Sequence, residues 1–195
     1  MFKHIIFISL SKAACKLHCT QLNKRQMKKL LIIALFALPT LSQAQSLSVK
    51  SDKVKIKFLA DMQGTEGTVG GFMAKINFDM DNLSTSTIQG SVDVNTLSTS
   101  NDKRDEHLKS ADFFEAEKYP KMTFTSTGIT QKDDSYVMTG KIKIKDVERD
   151  EVITFTYADK MFTASCTIQA ANYGIMEKKG PKKTNVKISF SIPVE

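Results

Sequence analysis

Cysteine is scarce in this chain. Three cysteines in 195 residues cannot build a disulfide-dense scaffold. Long apolar runs are missing as well. The longest, Leu30 to Leu41 at most, falls well short of the roughly 20 residues that span a bilayer. No internal repeat or low-complexity block is visible, and 41% hydrophobic with 25% charged residues excludes both a disordered chain and a multi-span membrane protein. Acidic residues are absent from the first 44 positions. Those positions hold seven basic side chains (Lys3, Lys12, Lys16, Lys24, Arg25, Lys28 and Lys29), which account for the whole net charge of +7. Residues 45–195 are therefore balanced, with 21 charges of each sign. The basic excess thus gives no reason to read the chain as a nucleic-acid binder.

The basic excess belongs to a leader. From Met27 the chain reads MKKLLIIALFALPTLSQAQ: Lys28 and Lys29 as a positive start, Leu30–Leu38 as an apolar stretch, then Ser42-Gln43-Ala44 with small residues at the positions a signal peptidase reads. Cleavage near Ala44 is expected, placing the protein in a bacterial periplasm or outside the cell. Residues 1–26 read as an over-extended start, and 45–195 as the working domain. Cys15, His18 and Cys19 resemble half a metal site, but no second pair follows at zinc spacing. Without the leader, Cys166 is the only thiol and His107 the only imidazole. A chain with one thiol forms no internal disulfide, so stability must come from the core.

What is present is alternation of period two. Val54, Ile56 and Phe58 interleave with lysines. Phe72 to Met80, Ile88 to Val94, Met122 to Ser126, Tyr136 to Ile144, Ile153 to Tyr157, Phe162 to Ala170 and Val186 to Val194 follow the same rule. About eight strands result, each with one apolar and one polar face. Asp133-Asp134 and Asp159-Lys160 sit at turns, the latter in a tight hairpin. Gly64, Gly67, Gly70 and Gly71 read as a flexible turn before the second long strand. The pattern breaks between Asn101 and Pro120. There Asp102 is a candidate cap, and Asp112 with Glu115 forms a variant capping box, which predicts two short helical turns. Antiparallel strands of this kind form a sandwich or a closed barrel, and an eight-stranded barrel is either filled by side chains or holds one small ligand.

The stretch Asn101–Pro120, with Phe124 and Ser126 beyond it, resembles the N-x-x-R-D-x-H-L-x-S-x-D-F-F-x-x-x-x-Y-P-x-x-x-F-x-S signature of the YceI-like family. Gly71-Phe72 with Ile76–Asp79, Gly140–Val147 and Phe162–Ile175 are similar to further parts of that family, so the resemblance covers nearly all of 47–194. It implies an all-β fold: an eight-stranded antiparallel lipocalin-like barrel with a short helical insertion at about 101–119, preceded by a cleaved N-terminal signal helix. It also implies an exported carrier or sequestering protein that holds a long-chain isoprenoid or lipid-like amphiphile in an apolar interior. The chain departs from the family at Phe58–Asp61, where a histidine is common, at Ala170-Ala171, where an arginine is common, and at Asp146, which replaces a glycine.

The residues expected to line such an interior are Phe58, Phe72, Ile76, Phe78, Ile88, Val92, Phe124, Met138, Ile142, Phe155, Phe162, Ile168 and Phe190. Arg104, Asp105, His107, Leu108, Phe113 and Phe114 are expected to fix the insertion to the barrel rim. No catalytic or metal-ligating set is legible: a nucleophile needs a base in reach, and a metal needs three or four suitable ligands. Cys166, among Ala164, Ile168 and Ala170, reads as a small buried hydrophobe. No cofactor is expected beyond an isoprenoid or fatty-acid-like ligand, and no nucleic-acid partner. Lys178, Lys179, Lys182, Lys183 and Lys187 form the one basic cluster, the first four suited to weak contact with anionic lipid headgroups, and the expected state is monomer or dimer. The competing expectation is an envelope stress or interaction protein whose barrel is filled by its own side chains. A third, an enzyme built on His107, is disfavoured for want of partners.

Overall fold

A computed structural model describes residues 46–61, 64–176 and 184–195. The leader and, from the basic cluster, Lys178, Lys179, Lys182 and Lys183 lie outside the described residues. Among the described residues nine strands run in chain order: β1 (Ser46–Leu47), β2 (Lys55–Ala60), β3 (Thr65–Asn77), β4 (Thr87–Ser98), β5 (Lys121–Lys132), β6 (Ser135–Ile144), β7 (Val147–Ala158), β8 (Met161–Gln169) and β9 (Asn185–Pro193), with one helix, α1 (Asp102–Lys109), between β4 and β5. All pairings are antiparallel. Each long strand pairs with the next in sequence, and β2 pairs with β9, so eight strands close on themselves. The two-residue β1 adds to the end of β3. Closure leaves no free edge among the long strands.

The alternation predicts which face points inward. Ile56, Ile76, Met138, Ile142, Ile153, Phe155, Phe162, Cys166 and Ile168 are all buried, while the lysines and threonines between them face out. On the outer face Lys141 Nζ reaches Asp150 Oδ1 at 3.1 Å and Glu148 Oε1 at 3.8 Å across strands. Such exposed pairs add little to stability.

Three local readings are corrected. Only Gly64 of the glycine-rich stretch lies in a turn, at φ 58°: β3 begins at Thr65 and runs through Gly67, Gly70 and Gly71, with register shifts between Thr68 and Gly70 and between Gly70 and Met73. Gly71 sits at φ +64° with the place of a Cβ only 2.6 Å from the Asp93 side chain, and Gly67 leaves room for the Phe58 ring. Glycine here permits bulges and a close approach inside a strand. The helix is capped by Asn101, whose side chain accepts from the Arg104 N–H at 3.0 Å, so Asp102 is the first helical residue. Asp112 and Glu115 open no second helix. Residues 110–119 fold back as turns, with the Phe114 N–H donating to Leu108 O and the Ala116 N–H to Lys109 O.

One end of the barrel is solid. Phe78, just past β3, meets four rings edge-on: Tyr136, Phe155, Tyr157 and Phe162, at centroid separations of 5.2 to 5.6 Å. Tyr136 also stacks on Phe155 at 5.2 Å. Edge-to-face contacts of this kind add to the area term. Phe78→Ala is expected to cost about 3–5 kcal/mol, read from the urea midpoint; a loss no larger than that of a surface substitution would remove the plug from its structural role. At the same end Asp159 and Lys160 turn β7 into β8 with φ of 50° and 59°, the left-handed pair of a type I′ turn. Lys160→Gly is therefore expected to stabilise by about 1 kcal/mol, seen as a raised midpoint at unchanged denaturant slope.

Candidate ligand-binding cavity

Beyond the plug the interior is hollow. A cavity of about 820 Å3 extends from Ile56, Met138, Ile153, Ala164 and Ile192 next to the plug to Leu97, Leu108, Phe113 and Phe114 beneath the insertion. Its wall is almost entirely aliphatic and aromatic. Polar side chains reach it chiefly at the insertion, through Arg104, His107 and Asp112, with Thr65, Ser91 and Thr123 on the strands.

Nine of the thirteen expected lining residues border this cavity: Phe58, Phe72, Ile88 and Val92 from β2–β4, Phe124 from β5, Met138 and Ile142 from β6, Ile168 from β8 and Phe190 from β9. Ile76, Phe78, Phe155 and Phe162 do not. They face inward but lie at the plugged end, 2–4% exposed, where ring packing leaves no space beside them. Sequence reasoning missed Val69, because the bulges of β3 turn it inward from a segment read as loop. It also missed Ile188 and Val186, whose signal was the same alternation that marks Phe190. Ile175 and Met176 come from an irregular segment after β8, and no periodicity announces them.

The insertion is held by polar contacts, because α1 has almost no apolar face. Its one buried residue is Asp105. Asp105 Oδ1 accepts from the Thr99 N–H at 2.8 Å and from the Thr99 hydroxyl at 2.5 Å. The same hydroxyl accepts from Arg104 Nε at 2.7 Å, and Thr99 O accepts from Arg104 Nη2 at 3.0 Å. Thr99 is thus clasped on both sides, and these bonds fix Arg104, which borders the cavity. The Thr99 hydroxyl bond, the largest influence, holds the Asp105 carboxyl below the usual carboxylate range. His107 stands beside Phe113, ring centroids 4.7 Å apart. Val94, Leu97 and Ala116 form a small buried cluster with Phe114 packed against it. Glu115 pairs with Lys145 of the β6–β7 turn at 3.9 Å, which ties the insertion to the far strands. So Leu108, Phe113 and Phe114, with Arg104 and His107, border the cavity as well as anchoring the insertion, and Asp105 only anchors.

A second clasp lies on β7. Tyr173, fully buried, donates its hydroxyl to Glu151 Oε1 at 2.9 Å, and Arg149 Nε donates to Asn172 O at 2.9 Å. These bonds seat the 3-10 turn Ala170–Tyr173, and Gly174 ends it at φ 72°. Burial, aided by the Glu151 bond, pushes the Tyr173 hydroxyl pKa up, so it is a donor throughout the physiological range. Burial also pushes the Cys166 thiol up to about 12, with Glu151 adding to the shift. Such a thiol is protonated and a poor nucleophile at neutral pH.

A closed antiparallel barrel, solid at one end and hollow and apolar towards the other, defines a protein of the lipocalin-like barrel class. The chain belongs to the YceI-like domain family, whose sequence model matches residues 45–195. A UPF0312 protein of Photorhabdus laumondii is 27% identical over 136 residues, covering 65% of this chain and 71% of its own. A UPF0312 protein of Pseudomonas aeruginosa is 28% identical over 174 residues, covering 80% and 91%. Among solved structures, Burkholderia cenocepacia BcnA is similar at a TM-score of 0.68 and 23% identity, over 74% of this chain and 98% of its own. A polyisoprenoid binding domain from Saccharophagus degradans, implicated in plant cell wall breakdown, is similar at a TM-score of 0.52 and 14% identity, over 78% and 98%. At these identities the likeness is one of fold.

Asp105→Ala should strip the buried Thr99 N–H and hydroxyl of their acceptor. Loss of hydrogen-exchange protection at the Thr99 amide is expected at neutral pH. In the unaltered protein the carboxylate's contribution is present above the usual carboxylate range and is lost as pH falls through the lowered pKa of Asp105. A Thr99 amide equally protected in Asp105→Ala would sink the clasp.

Proposed function

We propose that the protein is an exported binding protein that holds a long-chain isoprenoid or lipid-like amphiphile inside the barrel, as a carrier or a sequestering agent rather than a catalyst. The observation that carries this reading is the cavity of about 820 Å3, apolar along its walls and polar at Arg104, His107 and Asp112. Its shape matches an amphiphile, with the tail against the strands and the headgroup under the insertion. Each methylene removed from water contributes about 0.8 kcal/mol, so a tail binds well with few polar contacts. The Saccharophagus degradans domain supports the ligand class by analogy. The signal-like segment from Met27 to Ala44 supports export, and with it a periplasmic or extracellular site of action.

Expression of the full chain in a bacterial host tests both parts. The soluble product is expected to have lost the residues up to about Ala44 and to carry an apolar molecule in native mass spectrometry. A protein that is ligand-free and also fails to take up an isoprenoid quinone or a fatty amide would overturn the binding reading. Retention of the leader in the cytoplasm would overturn export.

A further inference from the structure

The plug gives the cavity a floor, and the floor gives it a length. Two strands measure the same depth. Val186 to Ile192 on β9 and Met138 to Ile144 on β6 each border the cavity at both limits, and each pair spans six residues; on β8 the lining runs from Ala164 to Ile168 and continues at Ala170 in the turn that follows. At about 3.4 Å per residue this is about 20 Å along a strand. With strands tilted by about 40° it is about 15 Å along the barrel axis. An extended hydrocarbon, with C–C bonds of about 1.5 Å advancing about 1.25 Å each, passes from mouth to floor in about 12 carbons. The volume allows more. At the density of packed hydrocarbon a methylene fills roughly 25–30 Å3, so the cavity of about 820 Å3 holds about 30 carbons when full. One straight chain would leave over half of it empty. The wall therefore fits a tail that is bent or branched, and the floor stops it from passing through.

We propose, resting on the amphiphile-binding reading above, that this is a length-limited site. It encloses tails of up to about four to six isoprene units, roughly 20–30 carbons, and the aromatic plug around Phe78 sets that limit. A tail of eight or nine units has no room below the mouth, because the space it would need is occupied by Phe78, Tyr136, Phe155, Tyr157 and Phe162. Ala164 is the residue through which the limit can be moved. It borders the cavity, and it pairs across the sheet with Phe155 of the plug on one side and Phe190 on the other. A larger side chain there grows into empty space rather than into packed core.

The test is competition among prenyl alcohols of two to nine isoprene units, scored by native mass spectrometry on the purified, delipidated protein. Affinity is expected to rise by at least about tenfold per unit while added carbons are enclosed. It should then change by less than about threefold per unit beyond six units. A rise that continues undiminished to nine units overturns the limit. Ala164→Phe, checked for an unaltered circular dichroism spectrum, is expected to move the break about one unit shorter while leaving the two-unit alcohol bound. An unmoved break would show that the floor does not set the length. Failure of every alcohol and of an isoprenoid quinone to bind would instead remove the amphiphile-binding reading on which the limit rests.

Discussion

The packing of five aromatic rings at one end is the interaction on which the rest of this barrel depends. An eight-stranded barrel encloses little more space than its own side chains fill, and a hollow interior forfeits the contacts that stabilise a core. Phe78 meeting Tyr136, Phe155, Tyr157 and Phe162 concentrates those contacts at that end. Ile76, Val194 and Ile129 pack around them at the same end. Val49 bridges to Val194 there as well, joining the N-terminal segment to the last strand. With cohesion supplied there, the rest of the interior can be lined by side chains that do not meet across it.

The other end is organised by polarity. Helix α1 contributes almost no apolar surface beyond Leu108, so its place is set by Asp105 and Arg104 gripping Thr99 from two sides. A buried carboxylate is tolerable only when its acceptor sites are used, and here the partner is the strand end from which the insertion departs. The same contacts that secure the segment also fix Arg104, which borders the cavity. Anchoring and a polar rim are therefore one arrangement. The reading of these residues as structural, and the reading of them as part of a site, describe two sides of a single helix.

The competing reading, a barrel filled by its own side chains, describes the plugged end and not the rest. Aromatic residues that alternate in identical fashion along the strands end in different environments. Phe155 is 2% exposed among other rings, whereas Phe124 borders the cavity. Part of the difference lies with glycine. Gly140 leaves the space beside it to the Phe124 ring, and Gly67 does the same for Phe58, so these rings lie along the wall instead of across the lumen.

Much was legible in the one-dimensional pattern. Alternation identified every long strand and the inward face of all but the start of β3, since a period of two is a direct consequence of the pleat. The hairpin at Asp159-Lys160 and the insertion after Asn101 were equally visible as interruptions of that period. The glycine-rich start of β3 was misread, because bulges break the period while leaving the strand intact, and Val69 was lost with it. The helix cap was displaced by one residue, a matter of which oxygen reaches the Arg104 amide. By itself, then, the sequence determined a barrel of amphipathic strands and most of the side chains that face its axis. Only the tertiary structure decided which of them fill it and which line it. Periodicity assigns a face but carries no information on depth along the axis, and depth is set by strand stagger, by bulges, and by where Phe78 folds over the end of the barrel.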